Sequence, residues 1–420
     1  MKKTILFVGG PLEAVHGFAA AKARDLHVVV SDMNADAPGM ALADDKLIAS
    51  TYDINATLAA ALQYHNSVRP IDGVLSVGVD VPRTVAAITT ALGLPGISEE
   101  AATLSADKLG MKERFQRDGV PIPWFAPVDT GHALARFAAE RPEILVVKPV
   151  DSRGSRGVQR LLPGLDPYLA FERAQEQSPS GRVMVEAYLD GPQISTESLV
   201  LGGHAHTPGF ADRNYEYLDR YAPFCIENGG DLPTTLPTRD QDAIRALIDR
   251  TAASMGVTDG MLKGDIVLHR GKPYVIEVAT RLSGGYLCTL EIPLNTGVDF
   301  VGAVTRWALG EPIDQQSLIP KRQTYVCQRY AFLEPGLVTA VSGLDRALQC
   351  PGIAEIVLYV EPGDVIKTPT DTTARAAMAV AAGGSRAEAE ANAWAALSAL
   401  KIETVPLDAA STRRLKRAGS

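Results

Sequence analysis

Residues 263–285 read Lys-Gly-Asp-Ile-Val-Leu-His-Arg-Gly-Lys-Pro-Tyr-Val-Ile-Glu-Val-Ala-Thr-Arg-Leu-Ser-Gly-Gly. Two apolar strand-like runs flank a short Gly-containing turn, the pattern of a β-hairpin. With the turn centred on Gly271, Asp265 falls opposite Glu277 on one face of the ladder. Like charges opposed across a sheet destabilise it. A divalent cation between them turns that repulsion into a binding site, and oxygen ligands suit Mg²⁺. Arg281 follows on the same run, then a Ser-Gly-Gly turn. Two carboxylates and an arginine on one spot suit chemistry on a phosphate. The plain alternative is an exposed hairpin whose acids face water.

A chain of 420 residues is too long for one ordinary core and suggests two or three domains. Its 46% hydrophobic and 21% charged composition is that of a soluble globular protein. The formal net charge of −8 argues against nucleic acid as the main partner, because phosphate backbones select basic surfaces. No apolar run reaches the roughly 18 residues of a membrane span, so no membrane partner is expected. The opening Met1–Gly10 segment has too short an apolar stretch for a signal peptide and reads as a first buried strand. Cys225, Cys288, Cys327 and Cys350 lack metal-type spacing, consistent with a reduced cytoplasmic setting.

The first ~97 residues alternate strand and helix, which implies a parallel, doubly wound sheet. Strands are expected at Thr4–Val8, Val28–Ser31 and Gly73–Val77, with helices over Leu12–Arg24 and Val81–Leu92. Gly9-Gly10 before a helix, with Asp32 after the next strand, hints at a dinucleotide fold but is no G-x-G-x-x-G fingerprint. Further on, strands over 144–148 and 183–186 bracket a glycine loop, Asp151 to Gly157. Beyond Gly310, strands near 325–332, 353–360 and 378–382 precede an Ala-rich helix over 386–400.

Taken in order, Asp107-Lys108, the strand ending at Lys148 with its glycine loop, Glu186-Ala-Tyr-Leu189, Asp265 and Glu277-x-Ala-x-Arg281 resemble the ATP-grasp superfamily. The resemblance spans about residues 1–310, and no G-x-x-x-x-G-K-[ST] run offers a P-loop instead. It implies an α/β chain with three parts. These are an N-terminal Rossmann-like pre-ATP-grasp domain (1–97), an ATP-grasp domain (98–310) with a mobile lid at about 124–190, and a C-terminal α+β domain (311–408). A basic tail (409–420) closes the chain.

The resemblance also implies roles. Lys108 and Lys148 would reach a triphosphate as point charges. Ser152, Gly154, Ser155 and Gly157 would close backbone N–H groups over it. The Glu186 carbonyl and the Leu189 amide would take the adenine edge, and Glu197 would face ribose or substrate. Asp265 and Glu277 would hold Mg²⁺, with Mn²⁺ as an alternative metal, and Arg281 would steady an acyl phosphate. Many members carry Asn where this chain has Ala279, which removes a neutral metal ligand.

The E-x-A-x-R-x-x-G form, with Pro351-Gly-Ile and Pro362-Gly-Asp-Val-Ile downstream, looks like bacterial L-amino-acid ligases of the bacilysin-synthetase type. That branch implies ATP-dependent joining of a carboxylate to an amine, with small-molecule amino acids as partners and a homodimer as the assembly. Arg213, Glu227, Ser283 and Gly284 fall where such ligases build substrate pockets, with Tyr215, Tyr217 and Tyr221 nearby. A bicarbonate-using enzyme resembling biotin carboxylase or carbamoyl-phosphate synthase is one alternative, and a non-catalytic nucleotide-binding module is another. His204 and His206, at i, i+2, have no third metal ligand near them in sequence.

Overall fold

The computed structural model describes residues 2–407, so the basic tail lies outside the described residues. The chain forms two compact units, each assembled from separate segments. The first comprises residues 2–125, 189–212 and 233–323, and the second 126–188, 213–232 and 324–407.

The first unit opens with a parallel four-stranded sheet in the order Asp45–Ile48, His27–Asp32, Thr4–Val8, Gly73–Leu75. Thr4–Val8 is buried at every position, as expected where helices cover both faces of a parallel sheet. The strand expected from Gly73 ends at Leu75, and Val77 instead makes an isolated parallel bridge to Leu282. That bridge ties the C-terminal edge of the sheet to the segment after the hairpin.

An antiparallel ladder in the same unit runs Lys272–Ala279, Gly260–His269, Gln193–Leu201, His204–Arg213. The helix Thr238–Met255 supplies Ile244, Leu247, Ile248 and Met255 to its core, against Ile194, Leu262, Ile266 and Val275. The hairpin turn is shorter than a turn centred on Gly271. His269 pairs with Lys272 across Arg270 and Gly271, both in the left-handed region at φ 49° and 74°. Continued without a break, that register would set Asp265 opposite Ile276. A bulge between Asp265 and Ile266 adds one residue on the return strand and restores the Asp265–Glu277 pairing. Val275, beside the bulge, is satisfied from outside the hairpin. Its N–H donates to the Pro121 carbonyl at 2.9 Å, and its carbonyl accepts from the buried Lys112 ammonium at 3.2 Å. The strand ends at Ala279, so Arg281 belongs to the turn that follows and not to the strand.

The second unit holds a sheet in the order Phe125–Val128, Val183–Ala187, Leu145–Pro149, Gln159–Arg160. It also holds an antiparallel set running Gly229–Leu232, Tyr325–Ala331, Ala377–Gly383, Ile353–Leu358. The expected Ala-rich helix is present as Arg386–Ala399, capped by the Ser385 side chain. Its Ala389, Ala393 and Ala396 share a core with Ala377, Ala379 and Ala381 of the strand, an interface built of methyl groups. The strand Gly336–Ser342 and the closing strand Lys401–Val405 pair with each other and carry no sequence signal used above.

Because a Cβ on Gly271 would meet nothing within 4 Å, the turn isolates backbone cost from packing. Gly271→Ala is expected to lower stability by about 1 kcal/mol and Gly271→Asn by less, since Asn tolerates the left-handed region. Urea unfolding of the three chains checks this, and equal midpoints would contradict it.

Candidate functional site

Two clusters of the residues named from sequence emerge, one in each unit. In the first unit, Asp265 is nearly buried and accepts a hydrogen bond from the Ser195 hydroxyl at 3.1 Å. The Lys263 ammonium, two residues earlier on the same face of the strand, lies 2.5 Å from its other oxygen. Lys108 is the first residue of the helix Lys108–Arg117, whose cap is Asp107, accepting the Gly110 N–H at 2.9 Å. From there its ammonium stands 3.7 Å from Glu277. Both opposed carboxylates therefore have a lysine against them.

Arg281 donates through Nε to Asp80 at 2.5 Å and through a terminal nitrogen to the Leu282 carbonyl at 3.2 Å. Asp80 sits just past the carboxyl end of a parallel strand, where α/β folds gather ligand-binding groups. Burial alone would raise its pKa, but Arg281, with Lys108 and Lys263, outweighs burial and holds it below the usual carboxylate range. In return, Asp80 keeps the buried Arg281 guanidinium charged against its own desolvation. Glu197 is fully buried. One oxygen accepts the Ser283 N–H at 3.0 Å, and the other is buried without a hydrogen-bond partner among the described residues. Burial pushes its carboxyl up to about 7, against the opposing pull of Ser283, Arg281 and Lys263. The Ser283–Gly285 turn is held from a second side by Glu13, which accepts the Gly285 N–H at 2.5 Å.

In the second unit, Lys148 of the strand Leu145–Pro149 forms a nearly buried ion pair with Glu186 of Val183–Ala187. The glycine loop carries left-handed backbone at Gly154, Ser155 and Gly157, and Ser152 lies just before it. The Gly154 carbonyl accepts from the Thr372 hydroxyl at 3.0 Å and its N–H at 3.3 Å, so the C-terminal segment holds the loop. Leu189 falls immediately after this unit's segment, at the start of the next stretch of the first unit. Arg213 and Glu227 meet in a two-pronged ion pair, Nε and a terminal nitrogen each 3.2 Å from a carboxylate oxygen. The Cys225 thiol, raised by burial, feels Arg160, Lys148, Glu186 and Arg213, which puts both ion pairs in one neighbourhood.

Sequence reasoning passed over Glu13, Asp80, Lys263 and Arg375, the last of which donates to the Glu227 carboxylate at 3.3 Å. Glu13 and Asp80 lie past the ends of strands Thr4–Val8 and Gly73–Leu75, so the carboxyl-edge rule for parallel sheets would have found them. Alternation along the strand would have found Lys263.

The donor set fits Mg²⁺. Asp265 and Glu277 are hard oxygen ligands in direct register. Mg²⁺ is commonly held by one or two carboxylates with substrate phosphates completing the shell. Among the described residues no group of three or more His, Cys, Asp or Glu is arranged to hold a metal alone. No helix among them is long and apolar enough to cross a membrane.

Comparison with known proteins bears on this geometry. Residues 105–285 match the model of an ATP-grasp domain, and residues 329–405 match L-amino acid ligase C-terminal domain 2. An uncharacterized Sinorhizobium fredii protein, y4rH, is 28% identical over 330 residues, 76% of this chain and 66% of that protein. A D-alanine–D-alanine ligase of Ralstonia nicotianae is 25% identical over 206 residues, 47% of this chain and 61% of the ligase. The chain thus spans less than two thirds of the length of either relative. The crystal structure of an L-amino acid ligase from Bacillus licheniformis superposes with a TM-score of 0.79 at 20% identity, covering 97% of this chain and 99% of that one. The fold is that of ATP-grasp enzymes.

Glu197 gives a pH signature. Below an ordinary glutamate value of about 4.3 both folded and unfolded chains carry the proton. Between there and 7 the unfolded chain releases it first, so stability falls as pH rises and levels off above 7. The ceiling of this loss is about 4 kcal/mol. Glu197→Gln should flatten it, checked by denaturant unfolding of both chains at about pH 5 and pH 8. Parallel losses in the two chains would remove Glu197 as the cause.

Proposed function

We propose that this chain, whose residues 105–285 match an ATP-grasp domain, is an ADP-forming carboxylate–amine ligase acting on amino acids. One carboxylate oxygen attacks the γ-phosphorus of ATP, giving an acyl phosphate and ADP. The amine nitrogen then attacks the acyl carbon, the C–O bond to phosphate breaks, and inorganic phosphate leaves as the amide forms. The observation that carries this reading is the grouping of Asp265, Glu277, Lys108 and Arg281 in the first unit, together with the match of residues 329–405 to an L-amino acid ligase domain.

Asp265 and Glu277 would hold Mg²⁺, with Mn²⁺ as a substitute, and the ion would neutralise charge on the phosphates. Lys108 and Lys148 would take phosphate oxygens, and Ser152, Gly154, Ser155 and Gly157 would offer backbone N–H groups to them. Glu186 and Leu189 would bind the adenine edge. Arg281, kept charged and aimed by Asp80, would stabilise the acyl phosphate and the oxyanion that follows. Ser283 and Gly284, pinned by Glu197 and by Glu13 at Gly285, would offer backbone N–H groups to the same centre. Glu197 would act from behind, as a positioning residue. The chain would work as a cytoplasmic homodimer on small molecules. Ala279 supplies no metal ligand, which leaves Asp265 and Glu277 as the protein's share of the coordination.

The deciding measurement is release of ADP and phosphate from Mg²⁺-ATP with pooled L-amino acids, with bicarbonate as a separate arm. Release that requires amino acids is expected; release with bicarbonate alone would replace this reading with a carboxylating one. Glu277→Gln should abolish turnover and leave thermal stability in place, and full activity would remove Glu277 from the metal site. Arg281→Ala should lower kcat by roughly 100-fold while nucleotide affinity changes little. The reverse pattern would make Arg281 a ground-state nucleotide ligand.

A further inference from the structure

Three neighbouring strands of the first unit set six residues on one face, in two rows. Glu197, Lys263 and Ala279 stand opposite one another in the first row, and Ser195, Asp265 and Glu277 in the second. Directly opposed side chains on a sheet leave the backbone about 4.5 to 5.5 Å apart, so the members of each row are near neighbours. The second row holds the pair assigned to the metal, with the Ser195 hydroxyl bonded to one Asp265 oxygen. In the first row the return strand adds no oxygen, because position 279 is an alanine. Lys263 faces that methyl group. Its side chain is 17% exposed, and its ammonium runs along the strand to the Asp265 oxygen other than the one Ser195 bonds, at 2.5 Å. Lys108 stands 3.7 Å from Glu277. Both ammoniums also help to lower the Asp80 carboxyl, which places them within electrostatic reach of the group that aims Arg281.

Phosphoryl transfer calls for positive charge over the phosphates, and sites that use two divalent ions hold them about 3.5 to 4 Å apart. A second ion here would need an Asp265 oxygen and further hard donors beside it. Lys263 already stands at that carboxylate, and the neighbouring position on the facing strand offers only a methyl group. One divalent ion together with the ammoniums of Lys263 and Lys108 brings as much positive charge as two divalent ions. We propose that Lys263 stands in the place of a second metal ion, so that the site takes one Mg²⁺ and the chain itself supplies the other cation. Ala279 is the complementary half of the exchange. A neutral oxygen at that position would serve an ion, whereas a methyl group leaves room for an ammonium and does not compete for it.

The role of Lys263 rests on the nucleotide reading above and is independent of which carboxylate and amine are joined. It changes how the protein depends on ions. A second divalent ion must be drawn from free Mg²⁺, beyond what ATP carries, whereas a lysine is a point charge that is always loaded.

The test counts ions. The chain is loaded with the non-hydrolysable analogue β,γ-methylene-ATP, Mn²⁺ is titrated in, and free Mn²⁺ is read by electron paramagnetic resonance with the analogue alone as the blank. The wild-type chain should hold one Mn²⁺ at the nucleotide site. Lys263→Ala combined with Ala279→Asn, which trades the ammonium for a neutral oxygen, should hold two. Two ions on the wild type overturn the proposal, since Lys263 is then only a counter-ion that metal displaces. One ion on both chains overturns it as well, because the lysine is then not what excludes the second. Should the double variant fail to fold, Lys263→Gln makes the same trade within one side chain. It should gain the second ion, and a count that stays at one overturns the proposal. A wild-type chain that holds one ion but joins no amino acids keeps the role of Lys263 and ends only the ligase reading. A chain that binds no analogue ends both.

Discussion

Asp265 and Glu277 repel across one face of a hairpin, and much of the first unit can be read as the means of holding them there. Lys263 answers one from the same strand and Lys108 answers the other from the first turn of a helix. The bulge brings Glu277 into line, and the neighbouring Val275 bonds outward to Pro121 and the buried Lys112. Behind this pair, Arg281 is bracketed by Asp80, with Glu197 sensing its charge. Acid and base alternate through the cluster, and exchanging a lysine's role for that of a divalent cation would need no new carboxylate.

The face on which Glu277 lies was legible in the sequence through two departures that cancel. A turn centred on Gly271 gives the Asp265–Glu277 pairing by symmetry, whereas the actual turn is one residue shorter and the bulge returns that residue. No local residue pattern announces a bulge at Ile276. Lys108, Lys148 and Glu186 were legible because each sits at the end or start of a regular element whose period is visible. Arg375 was not: it is 148 residues from Glu227, in a segment with no regular period, and only tertiary packing joins them. Glu13 and Asp80 required knowing which strand ends in the parallel sheet face the ligand edge.

The second unit balances charge differently from the first. There Lys148 meets Glu186, while two arginines, Arg213 and Arg375, meet the one carboxylate of Glu227. The short segment from Asp371 to Arg375 serves both regions, since Thr372 clasps the Gly154 carbonyl at one end and Arg375 reaches Glu227 at the other. Any displacement of the glycine loop therefore pulls on the backbone that positions a guanidinium, with two residues between the two attachments. The alanine interface beneath the helix Arg386–Ala399 gives that segment a stiff support, because methyl groups packed on methyl groups have no rotamers to change.

The interleaving of the two units has a consequence for how the protein comes into being. The chain passes from one unit to the other five times, so no uninterrupted stretch of sequence encodes either. A ribosome must deliver residues through Gln323 before the first unit has all of its parts, and the second waits for strands that follow Thr324. Neither can be excised as a cassette, shuffled by a single recombination event, or released by a single protease cut. The two halves are inherited together, and a lineage can change one only in the presence of the other.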